Sequence, residues 1–428
     1  MKAKDFFNFI SVLLLVLTSA VPFFMAQVQY IFIGLGIALL NLMINYNKWF
    51  DLKFWFFIAA IFLCQMVQGY TNDQIFISTY LGMILRFVWI YLIIKSSKLN
   101  YLRYYVKIMY FFSVVSLFFY VSMVALPDLK SVYHSLSAPF NFYLFPVSID
   151  DLSDLQNFHI IIYNFHGYDY ASQSNAALAQ IRNCGPFWEP GVFSGFLIIA
   201  LAFLFFSEGT VRNKRGYIFI IALITTFSTT GYLALIISVA LYNKEYIKKY
   251  KIILVPLLVA SSYYAFFNIA FLSNKISDQS KQLDQDKSRF GSALRDLAFF
   301  IQNPLWGEGR NADSAYGRAI SGDDVETNNG ITSALAGLGA VYFIIFSGMV
   351  IYSFKRLGNN INEKNVSWVL YLVFLIISFS EVYFVIPFFM SLSFLYVIAD
   401  TKYQIGVKRI VPKKKIWETY NLDTRQLQ

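Results

Sequence analysis

Apolar residues along this chain come in long unbroken runs, with polar residues gathered between them, and neither the two-residue alternation of a half-exposed strand nor the amphipathic helical stripe dominates. A helix crossing the hydrocarbon of a bilayer needs about 20 apolar residues. Runs of that order fall at 6–24, 28–46, 53–70, 75–95, 106–126, 190–207, 216–229, 230–243, 252–270, 330–354, 366–381 and 383–400. The predicted fold class is all-α: a polytopic integral membrane helix bundle of about 12 transmembrane helices with two long extracytoplasmic loops. Its parts are helices one to five in 1–126, a first large loop at 127–189, helices six to nine in 190–270, a second large loop at 271–329, helices ten to twelve in 330–400, and a basic tail at 401–428. Residues 216–243 are too many for one crossing and too few for two, yet both flanks are basic. At about 1.5 Å per residue each arm reaches only about 20 Å, so the pair is expected to turn inside the bilayer around Ser228, Thr229, Thr230 and Gly231. No period of 20–50 residues repeats along the chain.

Composition agrees and removes whole classes of function. Of 428 residues, 57% are apolar and only 14% charged, with mean hydropathy +0.53, which excludes a soluble enzyme, a disordered protein and a secreted disulfide scaffold. The two cysteines, Cys64 in an apolar run and Cys184 in a polar loop, are not expected to pair. The 45 Phe and 30 Tyr are read as packing residues, and no nucleic acid is implied by the net charge of +10. That charge is instead distributed by the positive-inside rule. With a cytoplasmic N-terminus, the connections assigned inside are strongly basic, while the two long loops assigned outside carry 9 basic against 15 acidic residues. Both termini are therefore expected on the cytoplasmic side, with the first span an uncleaved anchor and Lys413, Lys414 and Lys415 drawn to lipid.

Candidate chemistry concentrates in the loops and in one intramembrane charge. The first loop ends Arg182-Asn183-Cys184-Gly185-Pro186-Phe187-Trp188-Glu189-Pro190-Gly191, where Pro190 suits a first helical turn and Glu189 sits at its cap. Glu189 can cap the helix, hold a substrate hydroxyl, or do both. His159 and His166, seven apart, can share one helical face, but no third ligand follows at a metal-binding spacing, so no metal is expected. Asp150-Asp151 and Asp323-Asp324 read as ordinary loop carboxylates. The second loop predicts a helix over 287–302 with Phe290, Leu294, Leu297, Ala298 and Ile301 in one apolar stripe, flanked by Arg289 and Arg295. Those arginines either snorkel from an interfacial helix or point into a cleft. After it comes Asn303-Pro304-Leu305-Trp306-Gly307-Glu308-Gly309-Arg310, a glycine-bearing turn able to receive phosphate oxygens. Arg86 lies in the middle of the fourth span. A charge there costs about 2.5–3.5 kcal/mol on insertion scales and by default marks a site inside the bundle.

This order of parts resembles the O-antigen and capsule repeat-unit polymerases (Wzy-type) of the O-antigen polymerase and ligase superfamily. The likeness is carried by Gly185-Pro186-Phe187-Trp188-Glu189-Pro190-Gly191, by the short hairpin with Ser228-Thr229-Thr230-Gly231, by Asn303-Pro304-Leu305-Trp306-Gly307-Glu308-Gly309, and by Thr327-Asn328-Asn329-Gly330 with Gly337 and Gly339 beyond it. The resemblance implies a GT-C-like membrane glycosyltransferase of the bacterial plasma membrane that needs no cofactor. It would join undecaprenyl-pyrophosphate-linked oligosaccharide repeats on the outer face. A flippase and a chain-length regulator would be its natural partners, beside the bilayer itself. It also implies that loop arginines hold the substrates, which by position are Arg182, Arg289, Arg295 and Arg310. Pyrophosphate is a good leaving group, so cations that absorb its charge suffice, and Arg does so bidentately. On this reading Arg182, Glu189 and Arg289 form the catalytic set, with Glu189 orienting or deprotonating the acceptor hydroxyl. Arg86, Arg295, Arg310 and Trp188 bind the pyrophosphate-linked substrate. Trp188 and Trp306 can stack on sugar rings or anchor helix ends at the interface.

Two positions depart from the superfamily. Asn328 and Asn329 stand where the ligases often have a histidine, and Thr229 stands where an arginine often follows the hairpin serine; Arg86 can supply that missing charge. A ligase, and a flippase or transporter of lipid-linked sugar, are the competing readings. The polar loops favour an outward-facing enzyme over a transporter, whose charged groups gather at the midplane. The charge pattern sets an orientation that reporter fusions check. A reporter active only outside the membrane should be active after Asp169 and Lys281 and inactive after Arg212 and Asp400, and the reverse pattern would invert the topology.

Overall fold

The computed structural model describes residues 3–25, 27–45, 51–73, 75–137, 157–168, 180–242, 289–311, 313–320, 329–361, 363 and 366–399. The expected span at 252–270, the carboxylate pairs at 150–151 and 323–324, and the tail after 400 lie outside them. The helices are α1 (Ala3–Ala20), α2 (Pro22–Met25), α3 (Gln29–Asn45), α4 (Leu52–Thr71), α5 (Ile77–Ser97), α6 (Asn100–Ala125), α7 (Leu129–Ser137), α8 (Pro190–Glu208), α9 (Lys214–Ile224), α10 (Thr229–Tyr242), α11 (Arg289–Gln302), α12 (Ala315–Ile320), α13 (Gly330–Asn360) and α14 (Val366–Ser378). By length and composition α4, α5, α6, α8 and α13 can each cross a membrane, and α3, α10 and α14 are shorter apolar helices. The result is a helical bundle of multi-pass membrane type, with five such helices among the described residues where the sequence suggested about twelve spans.

The centre of the bundle is α8, all eighteen residues from Pro190 to Ser207 being buried. Its Phe196 stacks between Phe187 and Phe388, with ring centroids 4.4 and 4.9 Å away, and Phe388 stacks in turn on Tyr105 at 4.3 Å. Tyr105 closes the group by donating its hydroxyl to the Phe196 carbonyl at 2.8 Å. The last expected span, 383–400, is not a continuous helix. It is a succession of short turns, Tyr383–Val385, Pro387–Met390, Ser391–Phe394 and Tyr396–Ala399, buried on all sides. Pro387 removes one donor, and irregular backbone at membrane depth survives only where protein satisfies it. Hydroxyl groups do this: Phe388 N donates to Ser19 Oγ, Ser353 Oγ donates to the Ser393 carbonyl, and Tyr396 N donates to Ser353 Oγ. A second polar knot joins three helices where Asn41 donates to Asn8 and Ser96, and Ser97 to Asn8.

The first loop contains a small sheet that helical pattern reading does not foresee. Strands β1 (Asn157–Ile160), β2 (Tyr163–Tyr168) and β3 (Gln180–Asn183) pair antiparallel in that order. His159 and His166 therefore sit on neighbouring strands, paired with Asn164 and Arg182 respectively, and do not share a helical face. The β1–β2 connection is two residues long, with Ile161 at φ 57°. The sheet grips the hairpin of α9 and α10, whose turn at 225–228 falls three residues before the expected one, since Thr229, Thr230 and Gly231 already belong to the first turn of α10. Asn183 N donates to the Thr225 carbonyl at 3.0 Å, and a hydroxyl chain runs from Ser194 through Ser228 and Thr230 to Ser380.

In the second loop α11 forms over the predicted stretch, but with its faces reversed relative to a soluble protein. Leu294 and Ile301 of the apolar stripe are exposed, while Gly291, Ser292 and Asp296 are buried toward α13. A helix with that arrangement suits the edge of a bilayer, apolar face to lipid. The turn at 303–309, directly beyond α11, is locked to α13 by a break in the latter helix. Gly339 has φ 80° and ψ 165°, so α13 is two helical pieces joined across a kink. The amides of Ala340 and Val341, which would donate within the helix to Ala336 and Gly337, donate instead to Pro304 and Leu305 at 3.0 and 3.1 Å. The carbonyls of Ala336 and Gly337 accept from Glu308 N and Gly309 N at 2.8 and 3.1 Å. A Cβ on Gly339 would fall on the Leu305 carbonyl oxygen and the Trp306 backbone. Gly339→Ala is accordingly expected to cost about 3 kcal/mol or more, from a disallowed φ and a collision with main chain. Gly348→Ala, which meets open space on the same helix, should be neutral or slightly stabilising. Thermal unfolding of the two purified variants in one detergent checks the contrast.

Candidate anion-binding cavity

Beside the break in α13, where Leu338 forms part of the lining, lies a cavity of about 450 Å³. One wall is a face of α4, with Gln65, Gln68 and Asn72 at helical spacing; another is α5, with Ser78, Thr79, Tyr80, Met83 and Arg86; the third is the loop segment Glu308, Gly309, Arg310, Asn311 and Ser314. Gln68 ties α4 to the turn, its Nε2 donating to the Trp306 carbonyl at 2.5 Å and to the Gly337 carbonyl at 2.9 Å. Asn72 donates to the Gly307 carbonyl at 3.0 Å. The cavity runs deep, since Arg86 lies about 14 Å along α5 from its first residue. Its guanidinium has no hydrogen-bond or ion-pair partner among the described residues, and it shares the cavity with Arg310.

Arg310 is held from behind. Its NH1 donates to Ser333 Oγ at 2.6 Å, and its aliphatic stem occupies the space that a side chain at Gly337 would need. Burial pushes its guanidinium pKa down, and the nearby Tyr316, Asp296 and Tyr342 push it back up. Asp296 is completely buried, accepting from Tyr316 Oη at 3.0 Å and Thr332 Oγ1 at 2.8 Å. Burial raises its carboxyl above the usual range, opposed by those two hydroxyls and by Arg295 and Arg310. The arrangement keeps a cation fixed at a partly dry wall, with further donors nearby, which is what an anionic ligand requires.

The residues named from sequence divide between two places. Arg86 and Arg310 come together on the cavity. Arg295, 3.8 Å from Asp296, stands behind it. Arg289 opens α11, and its side chain lies outside the described set. Arg182, on β3, meets the hairpin instead, where Nε donates to the Thr226 carbonyl at 3.1 Å and NH2 to the Phe227 carbonyl at 3.3 Å, securing the turn. Glu189 occupies the cap position of α8 without a side-chain capping bond, and Trp188 packs against the core. Above Gly191 stands the carboxyl of Glu381, a residue that reads as part of a short outer turn yet is buried. Glu189, Trp188 and Arg182 do not line the cavity. The first turn of α13 separates the two groups, with Gly330 against Glu381 and with Thr332 and Ser333 bonded to Asp296 and Arg310.

Sequence reading missed Asp296 and the amide face of α4. Both had a signal: Gln65, Gln68 and Asn72 recur at i, i+3 and i+7 in an otherwise apolar run, and Asp296 sits on the small-residue side of α11. No family model, curated protein or solved structure matches the chain. The buried aspartate gives a direct test of the cavity wall. Asp296→Ala strands two hydroxyl donors and weakens the hold on Arg310, so it should cost about 2–3 kcal/mol, read as a lower unfolding temperature in detergent. An unchanged midpoint would show that the network holds nothing.

Proposed function

We propose that this protein is a membrane glycosyltransferase that polymerises undecaprenyl-pyrophosphate-linked oligosaccharide repeats on the outer face of a bacterial plasma membrane. The observation that supports this most directly is the meeting of Arg86 and Arg310 on one membrane-embedded cavity. Arg86, nine residues into α5 and without a protein partner among the described residues, is costly to keep at that depth unless an anion is its partner. The cavity mouth includes Val28 and the first turn of α5, where Ser78 and Thr79 are exposed, a side route by which a lipid-borne headgroup can arrive.

In the reaction, the growing glycan leaves its lipid pyrophosphate and is joined to a hydroxyl of the incoming repeat. Charge grows on the departing pyrophosphate as the glycosidic bond opens, and two guanidiniums placed to receive it lower that barrier without a metal. Gln65 and Asn311 line the same space and can add hydrogen bonds to phosphate oxygens. Arg310 is positioned by Asp296 through the buried network, so its direction is set before substrate arrives. Arg182 serves this function at one remove, by fixing the hairpin turn.

The glycan profile of cells with the gene deleted, then restored as wild type or Arg86→Gln, tests the reading. Deletion should leave single repeat units, and Arg86→Gln at normal membrane abundance should lower polymer by about 100-fold, the loss expected of one transition-state donor. Long chains that persist on the lipid carrier would mark a ligase, and repeats retained on the inner leaflet a flippase. Full activity of Arg86→Gln would remove that residue from the site.

A further inference from the structure

Beside the arginine cavity lies a second pocket of about 350 Å³, lined by Thr71, Asn72, Asp73, Gln302, Asn303, Glu308, Ala315 and Arg318. Asn72 and Glu308 belong to both spaces, so together they form the partition between them. The second pocket differs in chemistry from the first. It has no aromatic or large aliphatic side chain, and it offers a hydroxyl, three amides, carboxylates and a guanidinium, a mixture of donors and acceptors suited to sugar hydroxyls, which do both. Asn303 donates to Asn72 at 2.8 Å, which holds the amide pair of this wall in a fixed orientation.

Glu308 is placed on the partition by main chain. Its amide is bonded to the Ala336 carbonyl, and it stands between Gly307 and Gly309, both at positive φ. A Cβ on Gly307 would meet the backbone of Leu338 and Gly339, so the turn admits nothing larger there. The carboxylate itself makes no hydrogen bond or ion pair among the described residues, in contrast with the fully buried Asp296.

We infer that the smaller pocket holds the acceptor sugar and that Glu308 is the catalytic base that takes the proton of its attacking hydroxyl. This rests on the polymerase reading above. The acceptor oxygen forms a bond to the anomeric carbon of the donor, the bond from that carbon to the pyrophosphate oxygen breaks, and the electron pair leaves with the lipid pyrophosphate toward Arg86 and Arg310. The hydroxyl proton passes to the Glu308 carboxylate and from there to water. The partition geometry puts the base on the acceptor side and the cations on the leaving-group side, as a displacement at one carbon requires. The role lies with Glu308 and not Glu189, because Glu189 reaches neither space.

Partial burial raises the Glu308 carboxyl above its ordinary value. A base works when deprotonated, so activity should fall on the acid side at a pH higher than an ordinary glutamate would give. The groups facing it are Arg310 and Arg86 across the cavity with Tyr80, and Asp73 and Arg318 across the pocket.

The test compares wild type, Glu308→Gln and Glu308→Asp as full-length protein in membrane vesicles that carry the cell's own lipid-linked repeats. Polymer formation is followed against pH, and binding of undecaprenyl pyrophosphate is measured separately on purified protein. Glu308→Gln should bind undecaprenyl pyrophosphate as wild type does, while polymer formation falls by about 100-fold or more and loses its acid limb. Glu308→Asp should retain part of the rate with a shifted limb. Turnover of Glu308→Gln within about threefold of wild type, or loss of binding together with turnover, would overturn the base assignment. If wild type neither binds undecaprenyl pyrophosphate nor is needed for polymer, the polymerase reading itself fails, and the acceptor pocket fails with it.

Discussion

Four main-chain hydrogen bonds hold the loop end of this molecule together. Gly339 interrupts α13, and the two carbonyls and two amides that its helix gives up are taken by residues 304–309 in both directions. In a membrane-embedded helix such groups cannot be left to water. A break and a partner strand must therefore occur together, and each is unstable without the other. Because the clamp is made of backbone, the positions of Glu308 and Arg310 do not depend on side-chain rotamers of the clamp. Gly307, Gly337 and Gly339 allow the close approach, and Gln68 seals it from α4 by binding carbonyls on both partners.

Backbone groups freed from regular bonding find side-chain partners in the rest of the irregular structure too. The broken segment after Glu381 lies at the heart of the bundle, and hydroxyls of Ser19, Ser353 and Ser391 sit where regular helical bonds are missing. The turn between α9 and α10 is treated likewise by Arg182 and Asn183. Charged and amide side chains thus do two different jobs at this end. One set, around β3, completes backbone that has nowhere else to bond; in the other, Gln68 and Asn72 do the same for the turn at 303–309 while Arg86 and Glu308 face open space. Spatially the first turn of α13 keeps them apart.

Hydropathy made the spans legible because burial in lipid and burial in protein both select the same residues, and α4, α5, α6 and α8 start or end within about six residues of the expected limits. That equivalence is also why the breaks were hidden. Gly339 lies in a run as apolar as any crossing helix, and 383–400 shows only Pro387 as a warning. The sheet was missed for a different reason: strands of four to six residues, set in a long polar loop, offer too few positions for alternation to register. Of the residues on the cavity, Arg86 and Arg310 stood out in the sequence by the cost of one charge and the glycines around the other. Arg182 and Glu189 were equally conspicuous, but sequence spacing does not say which backbone a loop arginine will meet or whether a cap carboxylate will face a cavity.

The reversed helix α11 ties the exterior of the molecule to the arginine cavity. Its outer face exposes Leu294 and Ile301, its inner face carries Asp296, and Asp296 acts on the charge of Arg310. One buried carboxylate thus links the outer skin of the bundle to the wall of the arginine cavity, so a polar change at Asp296 would be felt on both faces of α11 at once.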